Sequence, residues 1–207
     1  MGTKKYRLTG NHIKRGEKIL YQIEALKDFG DVKAGDLGGY IESEENLSLY
    51  DNAWVYGDAQ VLGNAQVFDN ARVYGNACVF DNTRVYGNAC VFGNACVFDN
   101  AEVYGNALVY DNAQVLGNAR VFGDAQIKSA RDYIVFKNWW SSGRYFTWTR
   151  SNNMWKVGCF YGTGEELIKK AYNDSEISGR EYERIVRYVE SILADEKRKE
   201  NEPIGIK

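Results

Sequence analysis

The sequence predicts a mainly β protein whose centre is a coil of short strands. A six-residue phrase repeats without a gap from Asp51 to Lys128, and the 78 residues of this stretch contain 13 copies. Ala and Val lie two positions apart in each copy, so a strand directs both to one face and into a narrow core. Each copy begins with Gly or Asp followed by a polar residue, which is typical of tight turns. Short strands and turns at this period favour a chain that winds.

The phrase, as in Gly63–Phe68 and Asp69–Tyr74, resembles the hexapeptide repeat of left-handed parallel β-helices. In that family three hexads form one triangular coil of 18 residues. The resemblance implies between four and five coils and three flat walls, with Glu45–Tyr50 as a degenerate further hexad. The same fold occurs in acyltransferases, carbonic anhydrases, ice binders and inert scaffolds, so it does not indicate an activity by itself.

In this geometry residues 18 positions apart stack, and each wall carries a ladder of outward side chains. Wall 1 carries Gln60, Leu62, Cys78, Phe80, Cys96, Phe98, Gln114 and Leu116. Wall 2 carries Trp54, Tyr56, Arg72, Tyr74, Cys90, Phe92, Leu108, Tyr110, Gln126 and Lys128. Wall 3 carries Ser48, Tyr50, Gln66, Phe68, Arg84, Tyr86, Glu102, Tyr104, Arg120 and Phe122.

Wall 1 has neither a charged residue nor a tyrosine. A stripe of Leu62, Phe80, Phe98 and Leu116 facing water would form a large apolar patch, which monomeric proteins rarely expose. We therefore expect these four residues to be covered. The cover is either another subunit, in a dimer or trimer, or the C-terminal segment of the chain itself.

Three regions are predicted along the chain: a hairpin and cap over residues 1–44, the β-helix over 45–128, and a β-meander with two helices over 129–207. The hairpin covers residues 3–27, with His12 in its polar link. The meander strands are predicted at Tyr133–Phe136, Arg144–Thr149 and Met154–Phe160. Capping boxes that begin at Thr163 and Ser178 predict where the two helices start.

The segments Ile23–Gly39 and Glu42–Ser48 resemble an N-terminal block that bacterial and phage (prophage) proteins place before a hexapeptide helix. Those proteins are often labelled putative acyltransferases from their repeats. The segment that contains Val157–Thr163 resembles a module at the C-terminus of phage and prophage proteins. These resemblances imply a virus-side role.

Composition narrows the partners and the compartment. The net charge of −2 over 207 residues predicts no field that would attract duplex nucleic acid. No apolar run reaches about 18 residues, and the N-terminus lacks the apolar stretch of a secretory signal. We therefore expect no membrane partner and a cytoplasmic location, in the host cytoplasm if the protein is phage-encoded.

Catalytic and metal-binding groups are scarce. The only histidine is His12, whereas β-helix acyltransferases use a histidine base with an extruded loop and the related carbonic anhydrases use three histidines on zinc. The hexads run without such a loop. Cys78, Cys90, Cys96 and Cys159 lack the close spacing of metal ligands. We expect no cofactor, no metal and no catalysis, although an acyltransferase with His12 or a carboxylate as base remains an alternative.

Residues 133–164 depart from the composition of the rest of the chain. They contain four basic residues, ten aromatic residues and no acidic residue. Basic groups among aromatic faces suit an anionic ligand with a flat ring, such as a nucleotide. The alternative is a small sheet whose aromatics pack on the helices. The predicted ligand-binding residues are Trp139, Trp140, Arg144, Tyr145, Arg150 and Lys156.

The leading functional hypothesis is a non-catalytic binding protein. The resemblance to phage proteins suggests an inhibitor of host defence, which sequesters a nucleotide-type signal or blocks a host protein. A hexapeptide-repeat acyltransferase is one alternative, and a self-assembling scaffold is the other.

Overall fold

The computed structural model of the protein describes residues 3–201. The chain begins with an antiparallel pair, β1 (Tyr6–Arg15) and β2 (Lys18–Ala25), and β3 (Leu37–Ile41) pairs with β2. The predicted polar link is shorter than expected, because β1 continues through His12 with a register irregularity between Leu8 and His12. His12 therefore lies in a strand.

Thirteen two-residue strands follow, one for each hexad. They are β4 (Trp54–Val55), β5 (Gln60–Val61), β6 (Gln66–Val67), β7 (Arg72–Val73), β8 (Cys78–Val79), β9 (Arg84–Val85), β10 (Cys90–Val91), β11 (Cys96–Val97), β12 (Glu102–Val103), β13 (Leu108–Val109), β14 (Gln114–Val115), β15 (Arg120–Val121) and β16 (Gln126–Ile127).

Strands one coil apart pair in parallel and form the three predicted walls. Wall 1 is β3-β5-β8-β11-β14, wall 2 is β4-β7-β10-β13-β16, and wall 3 is β6-β9-β12-β15. In wall 1, Cys78 pairs with Cys96 and Val79 pairs with Val97, which is the 18-residue register that the repeat predicts. The predicted parallel β-helix is confirmed.

The interior of the coils consists of the repeated Ala and Val side chains, which are at most 1% exposed. Thr83 occupies one Ala position, and its hydroxyl donates to the Phe80 carbonyl at 2.7 Å. Each fully buried Val contributes roughly 1.5–3 kcal/mol, so the repeat itself provides the core.

The corners of the prism depend on the first two residues of each hexad. From the second hexad onwards the first residue has positive φ, for example 61° at Asp69 and 72° at Gly75. Where it is Asp, its carboxylate can accept from the next coil, as Asp69 Oδ2 does from Gly87 N at 3.1 Å. The asparagines form the predicted ladders, with Asn64 Nδ2 donating to Asn82 Oδ1 at 2.9 Å.

The N–H groups of the residues on either side of each inward Val donate to the next coil, whereas the parallel register requires the N–H of the Val itself to donate to the previous coil. Gln60 N donates to Ala77 O at 2.9 Å, and Leu62 N donates to Val79 O at 3.0 Å. The same pattern continues along the prism, so the N–H groups that flank each Val point towards the C-terminal end and the carbonyls that accept from them point towards the N-terminal end. The first coil therefore leaves such carbonyls without a preceding coil, and the last coil leaves such N–H groups without a following coil.

Side-chain donors cover the carbonyls at the N-terminal end. Lys5 Nζ is buried and donates to Asp51 O at 2.9 Å, to Ala53 O at 2.7 Å and to the Asp51 carboxylate at 2.9 Å. The Tyr6 hydroxyl donates to Leu47 O at 2.9 Å. Asn46 Nδ2 donates to two further carbonyls, those of residues 63 and 65.

Side-chain oxygens cover the N–H groups at the C-terminal end. Arg120 N donates to Thr147 Oγ1 at 2.8 Å, and Gln126 N donates to Ser151 Oγ at 2.7 Å. The carboxylate of Asp132 accepts from the backbone of residues 128 and 129. These side-chain oxygens accept the hydrogen bonds that carbonyls of a further coil would otherwise accept.

The C-terminal module consists of a four-stranded antiparallel sheet and two helices. The strands are β17 (Tyr133–Lys137), β18 (Tyr145–Thr149), β19 (Met154–Val157) and β20 (Phe160–Gly162), and the helices are α1 (Gly164–Asp174) and α2 (Glu176–Asn201). The prediction of one strand over Met154–Phe160 is wrong. Gly158, with φ of 55°, and Cys159 form a two-residue turn that separates β19 from β20.

The two faces of this sheet have different partners. One face packs Phe146, Trp148 and Trp155 against α1 and α2. The other face lies on the last coil, where Thr147 caps Arg120. The module therefore has a core of its own and also closes the β-helix.

One of the two predicted helix starts is confirmed. Thr163 and Glu166 form the capping box of α1. Ser178 is not a cap, because α2 already begins at Glu176 and the Ser175 hydroxyl accepts from Ser178 N at 3.1 Å. Ser175, the single residue between Asp174 at the end of α1 and Glu176 at the start of α2, takes the capping role, so no longer loop is needed.

The N-terminal hairpin, which was not among the two covers that we expected, lies on the first part of wall 1, and the expected C-terminal segment reaches its last strand, where the Tyr133 hydroxyl donates to Gln114 O at 3.1 Å. Arg15, at the end of β1, contacts Gln60 Oε1 and Cys78 Sγ and lies 5.7 Å from the Phe80 ring centre. Leu62 is 7% exposed within the single chain. The N-terminal hairpin thus covers the first half of the stripe, while Phe98 is half-buried and Leu116 is 38% exposed. A second subunit on wall 1 stays a prediction.

Replacing Lys5 with Met should lower the free energy of unfolding by about 3 kcal/mol, because two carbonyls and the Asp51 carboxylate lose a buried donor. Chemical denaturation measures this loss. Lys4→Met is the control, since the exposed Lys4–Glu44 pair should contribute less than about 1 kcal/mol. Equal effects of the two substitutions would contradict the capping role of Lys5.

Replacing Thr147 with Val keeps the shape of the side chain but removes the acceptor for Arg120 N–H. The unpaired donor should cost about 1–3 kcal/mol of stability. Thr9→Val is the matched control, because Thr9 Oγ1 accepts from an exposed backbone N–H that water can also satisfy. Amide exchange should accelerate at Arg120 in the first variant only, and unchanged exchange there would argue against the cap.

Candidate functional site

A cleft lies where wall 3 meets the C-terminal sheet, and we call it the junction cleft. It consists of two adjoining hollows of about 400 and 210 Å³ that share Arg144, Tyr145 and Gly158. The larger hollow is completed by Asn100, Glu102, Asn118 and Arg120. The smaller hollow is completed by Asn138, Ser142, Val157, Cys159, Phe160, Lys170 and Tyr182.

The turn at Gly158 positions one side of the cleft. It folds β20 back over wall 3, where the aromatic ladder Phe68, Tyr86, Tyr104 and Phe122 stacks at 4.5–4.8 Å between ring centres. Lys156 lies 5.0 Å from the Phe122 ring centre and 5.9 Å from that of Tyr104. The ladder thus provides a rigid floor beside the larger hollow.

Positive charge accumulates around the cleft, and only part of it is paired. Arg120 lies 3.6 Å from Glu102, and Lys170 lies 3.8 Å from Asp174. Burial, together with the neighbouring charge of Arg120, lowers the pKa of Lys156. The exposed guanidinium of Arg144 makes no side-chain hydrogen bond or ion pair with any residue in the described range, 3–201.

A buried hydroxyl faces the smaller hollow. Tyr182 is 7% exposed, and its hydroxyl oxygen accepts from Asn138 Nδ2 at 3.0 Å. Within residues 3–201 the hydroxyl has no acceptor for its own proton. Burial raises the pKa of Tyr182, so the group is a neutral donor at physiological pH.

These groups can bind an anion, and His12 is not among them. The free Arg144 guanidinium can pair with a phosphate or carboxylate bidentately, and the Tyr182 hydroxyl can donate to it. The 40% exposed ring of Tyr145 offers a surface for a flat group. His12 lies instead on the N-terminal hairpin, with Nδ1 3.2 Å from Gly10 O.

The six predicted ligand-binding residues do not all lie together. Arg144 and Tyr145 line the cleft. Lys156, a residue of β19, lies beside the cleft and over the Phe122 ring of wall 3. Trp139 projects from the turn between β17 and β18 and is 73% exposed. Trp140 and Arg150 make contacts within the C-terminal module instead.

Trp140 packs edge-to-face on Tyr182, with ring centres 4.9 Å apart, and its buried Nε1 has no partner within residues 3–201. Arg150 pairs with Glu196 at 2.6 Å and lies over the Trp148 ring. For Trp140 and Arg150, the alternative interpretation of a packed sheet describes the surroundings better than ligand contact does.

Several cleft residues were missed by sequence reasoning. Glu102 and Arg120 are successive charged residues of wall 3, so the ladder could have indicated them once the C-terminal sheet was known to reach that wall. Lys170 and Tyr182 occupy helix positions whose spacing carries no such signal. Only the packing of α1 and α2 on the sheet brings them to the cleft.

A larger depression of about 640 Å³ lies at the C-terminal end of wall 2, lined in part by Asp111, Lys128 and Asp132. Its charges are largely satisfied by each other. Lys128 lies 3.7 Å from Asp111, and the Asp132 carboxylate accepts from two backbone N–H groups. Asp132 caps the last coil here, so this depression is a weaker candidate for ligand binding than the junction cleft.

Comparison with known proteins agrees with the fold. A family model for the YdcK beta solenoid repeat matches residues 65–81 and 101–117, both within the coils. The chain is built on a β-solenoid repeat. No curated protein matches the chain. Within residues 3–201, no helix is both long enough and apolar enough to cross a membrane.

Replacing Trp140 with Ala should destabilise the C-terminal module by about 3 kcal/mol, because the ring packs between Tyr182 and Phe146. Trp139→Ala should change stability by less than about 0.5 kcal/mol, since that side chain is largely in water. Thermal unfolding of both variants checks this contrast. Equal stabilities would show that Trp140 does not support the core.

Proposed function

We propose that the protein binds a small anionic ligand with a flat ring, of nucleotide type, in the junction cleft and does not transform it. The observation that carries this proposal is Arg144, an unpaired guanidinium at the boundary of both hollows. Arg150, Arg184 and Arg187 of the C-terminal module have carboxylate partners, whereas Arg144 has none among the described residues.

The rest of the cleft is suited to such a ligand. The smaller hollow offers the Tyr182 hydroxyl and Lys170 to a phosphate, next to Arg144. The larger hollow offers the Tyr145 ring, the Glu102 carboxylate and asparagine amides to a base or sugar with hydrogen-bonding edges. Their combined size lies within the range of small-molecule sites, roughly 300–1,000 Å³.

Binding without catalysis is preferred over acyl transfer because of where the one histidine lies. Acyl transfer requires a base within hydrogen-bond reach of the acceptor group. His12 is on the N-terminal hairpin and contributes nothing to the lining of the cleft. A self-assembling scaffold that grows end to end is also less favoured, since side chains already occupy the backbone groups at both ends of the β-helix.

The proposed biological role is the sequestration of a nucleotide-type signal, as an inhibitor of host defence would do. Support for this role comes from the resemblance of residues 23–48 and of the C-terminal module to phage and prophage segments. Blocking of a host protein is the second form of the same role. It would use exposed aromatic groups such as Trp139 in place of the cleft.

Arg144→Ala should weaken the binding of nucleotide probes, because the ligand loses its bidentate partner. Titration of the purified protein with the four common 5′-mononucleotides, followed by calorimetry, measures the affinity. We expect a loss of about tenfold or more for any probe that binds the wild type.

Arg84→Ala is the matched control, since Arg84 lies on wall 3 outside the cleft and its removal changes net charge by the same amount. Native mass spectrometry of the protein purified from cells should show a nucleotide-sized adduct that is absent from Arg144→Ala. Equal ligand retention in both variants would refute the cleft. Acyl transfer from acyl-CoA that His12→Ala abolishes would refute the non-catalytic proposal.

A further inference from the structure

Two cysteines lie side by side on wall 1. Cys78 and Cys96 are one coil apart and are direct partners in the parallel register of β8 and β11. Both side chains point out of the coils and are half-buried, and the two thiols interact with each other. The other two cysteines have no thiol as a register partner. Cys90 pairs with an arginine and a leucine on wall 2, and Cys159 lies in the turn after β19.

The spacing of this pair suits a disulfide. Adjacent strands of a sheet are about 4.8 Å apart, and disulfides join Cα atoms that are roughly 4.4–6.8 Å apart. Parallel side chains hold their Cβ atoms at nearly the strand spacing, which is slightly above the usual Cβ separation of roughly 3.5–4.5 Å. The two side chains therefore need only lean towards each other to form the bond, and the register of the coils can stay as it is.

A positive charge lies against one member of the pair. The Arg15 guanidinium donates to Cys78 Sγ at 2.7 Å and to Gln60 Oε1 at 2.7 Å. Within residues 3–201 it forms no ion pair with a carboxylate, so no acidic group neutralises its charge. A neighbouring arginine favours the thiolate form of cysteine, and the thiolate is the nucleophile in thiol–disulfide exchange.

The two thiols differ in their surroundings. Burial, followed by the neighbouring charge of Cys78, raises the pKa of Cys96, and Arg15 acts in the opposite direction. When the Cys78 sulfur bonds to another sulfur, it loses its negative charge, and its part of this rise disappears. Cys78 is therefore suited to react first, and Cys96 is suited to react second.

We propose that Cys78 and Cys96 form a redox site, a dithiol that a small-molecule disulfide such as oxidised glutathione converts to a disulfide between two coils. The Cys78 thiolate attacks one sulfur of the small disulfide, forms a mixed disulfide and expels one small thiolate. The Cys96 thiolate then attacks the Cys78 sulfur, forms the Cys78–Cys96 bond and expels the second small thiolate. The expelled thiolates take up the two protons that the cysteines release, so the small disulfide gains the two electrons that the protein loses.

This site is separate from the junction cleft, because neither cysteine lines either hollow. The new bond adds a covalent link between coils that wall 1 otherwise joins by backbone hydrogen bonds, such as that from Cys78 N to Ala95 O at 2.9 Å. Nucleotide binding and disulfide formation can therefore be tested independently of each other.

Mass spectrometry of the intact, acid-quenched protein follows the reaction. The reduced full-length chain is incubated with a concentration series of oxidised glutathione. We expect a main product that has lost two hydrogens, and peptide mapping should locate its bond between Cys78 and Cys96. Cys96→Ser should instead accumulate glutathione on Cys78, because the second attack is missing. Cys78→Ser should acquire glutathione on Cys96 about tenfold more slowly than Cys96→Ser acquires it on Cys78.

Arg15→Met should slow the first step at Cys78 by about tenfold, because the thiolate loses its positive neighbour, and Arg15→Lys should restore most of the rate. If Arg15 acted only as a cover, its removal would expose Cys78 and speed the reaction, so the sign of the change separates the two roles. Arg7→Met is the matched control, since Arg7 lies on the same strand but pairs with Glu24 at 2.8 Å.

Cys90→Ser is the control for the loss of a thiol, and it should leave bond formation unchanged. Cys90 occupies the same position in its hexad as Cys78, and other hexads place Gln60 and Leu108 there, so serine should not disturb the coils. A wild-type chain that keeps glutathione on Cys78 without forming the second bond would overturn the inference. Equal reaction rates at Cys90 and Cys78, or a chain that stays reduced at every concentration of oxidised glutathione, would also overturn it.

Discussion

The open backbone groups at the two ends of the coil stack are the constraint on which the rest of the structure depends. The residues that flank each inward Val donate to the next coil, so a stack of any height leaves carbonyls at one end and N–H groups at the other end without a partner coil. Buried backbone groups without partners cost about 1–3 kcal/mol each. Side-chain donors such as Lys5 and Tyr6 pair with the open carbonyls at the N-terminal end. Hydroxyl acceptors such as Thr147 and Ser151 pair with the open N–H groups at the C-terminal end.

The candidate site is a consequence of the C-terminal cap. A sheet that places Thr147 on the last coil must also bring its neighbouring turns close to wall 3. The turn at Gly158 therefore lies beside Glu102 and Arg120, and a cleft remains between them. Because α1 and α2 pack on the other face of the same sheet, Lys170 and Tyr182 reach the far side of that cleft. Closing the solenoid and forming the cleft are thus achieved by one element.

The aromatic side chains of the segment 133–164 have two separate roles. Phe146, Trp148 and Trp155 form the core between the sheet and the helices. Three further aromatic residues pack against this core, so six of the ten have a structural role without a ligand: Phe136, Trp140 and Phe160 join the three buried ones. Tyr145 and Trp139 point outward. The basic residues divide similarly, since Arg150 is bound to Glu196 and Lys156 lies over the aromatic ladder, while Arg144 remains unpaired. Composition alone indicated the segment, but it could not separate these roles.

The sequence by itself determined the coils, the three walls and the corner ladders, because a strict hexad leaves one way to bury every Ala and Val. It also indicated Arg144 and Tyr145. The tertiary structure decided three matters that the local patterns left open. The hairpin covers the first half of wall 1 through Arg15, the run Met154–Phe160 folds back at Gly158, and α2 starts at Glu176. It also assembled the cleft from wall 3, a sheet turn and two helices. Such contacts join residues far apart in the chain, and they depend on packing that no repeat or spacing encodes.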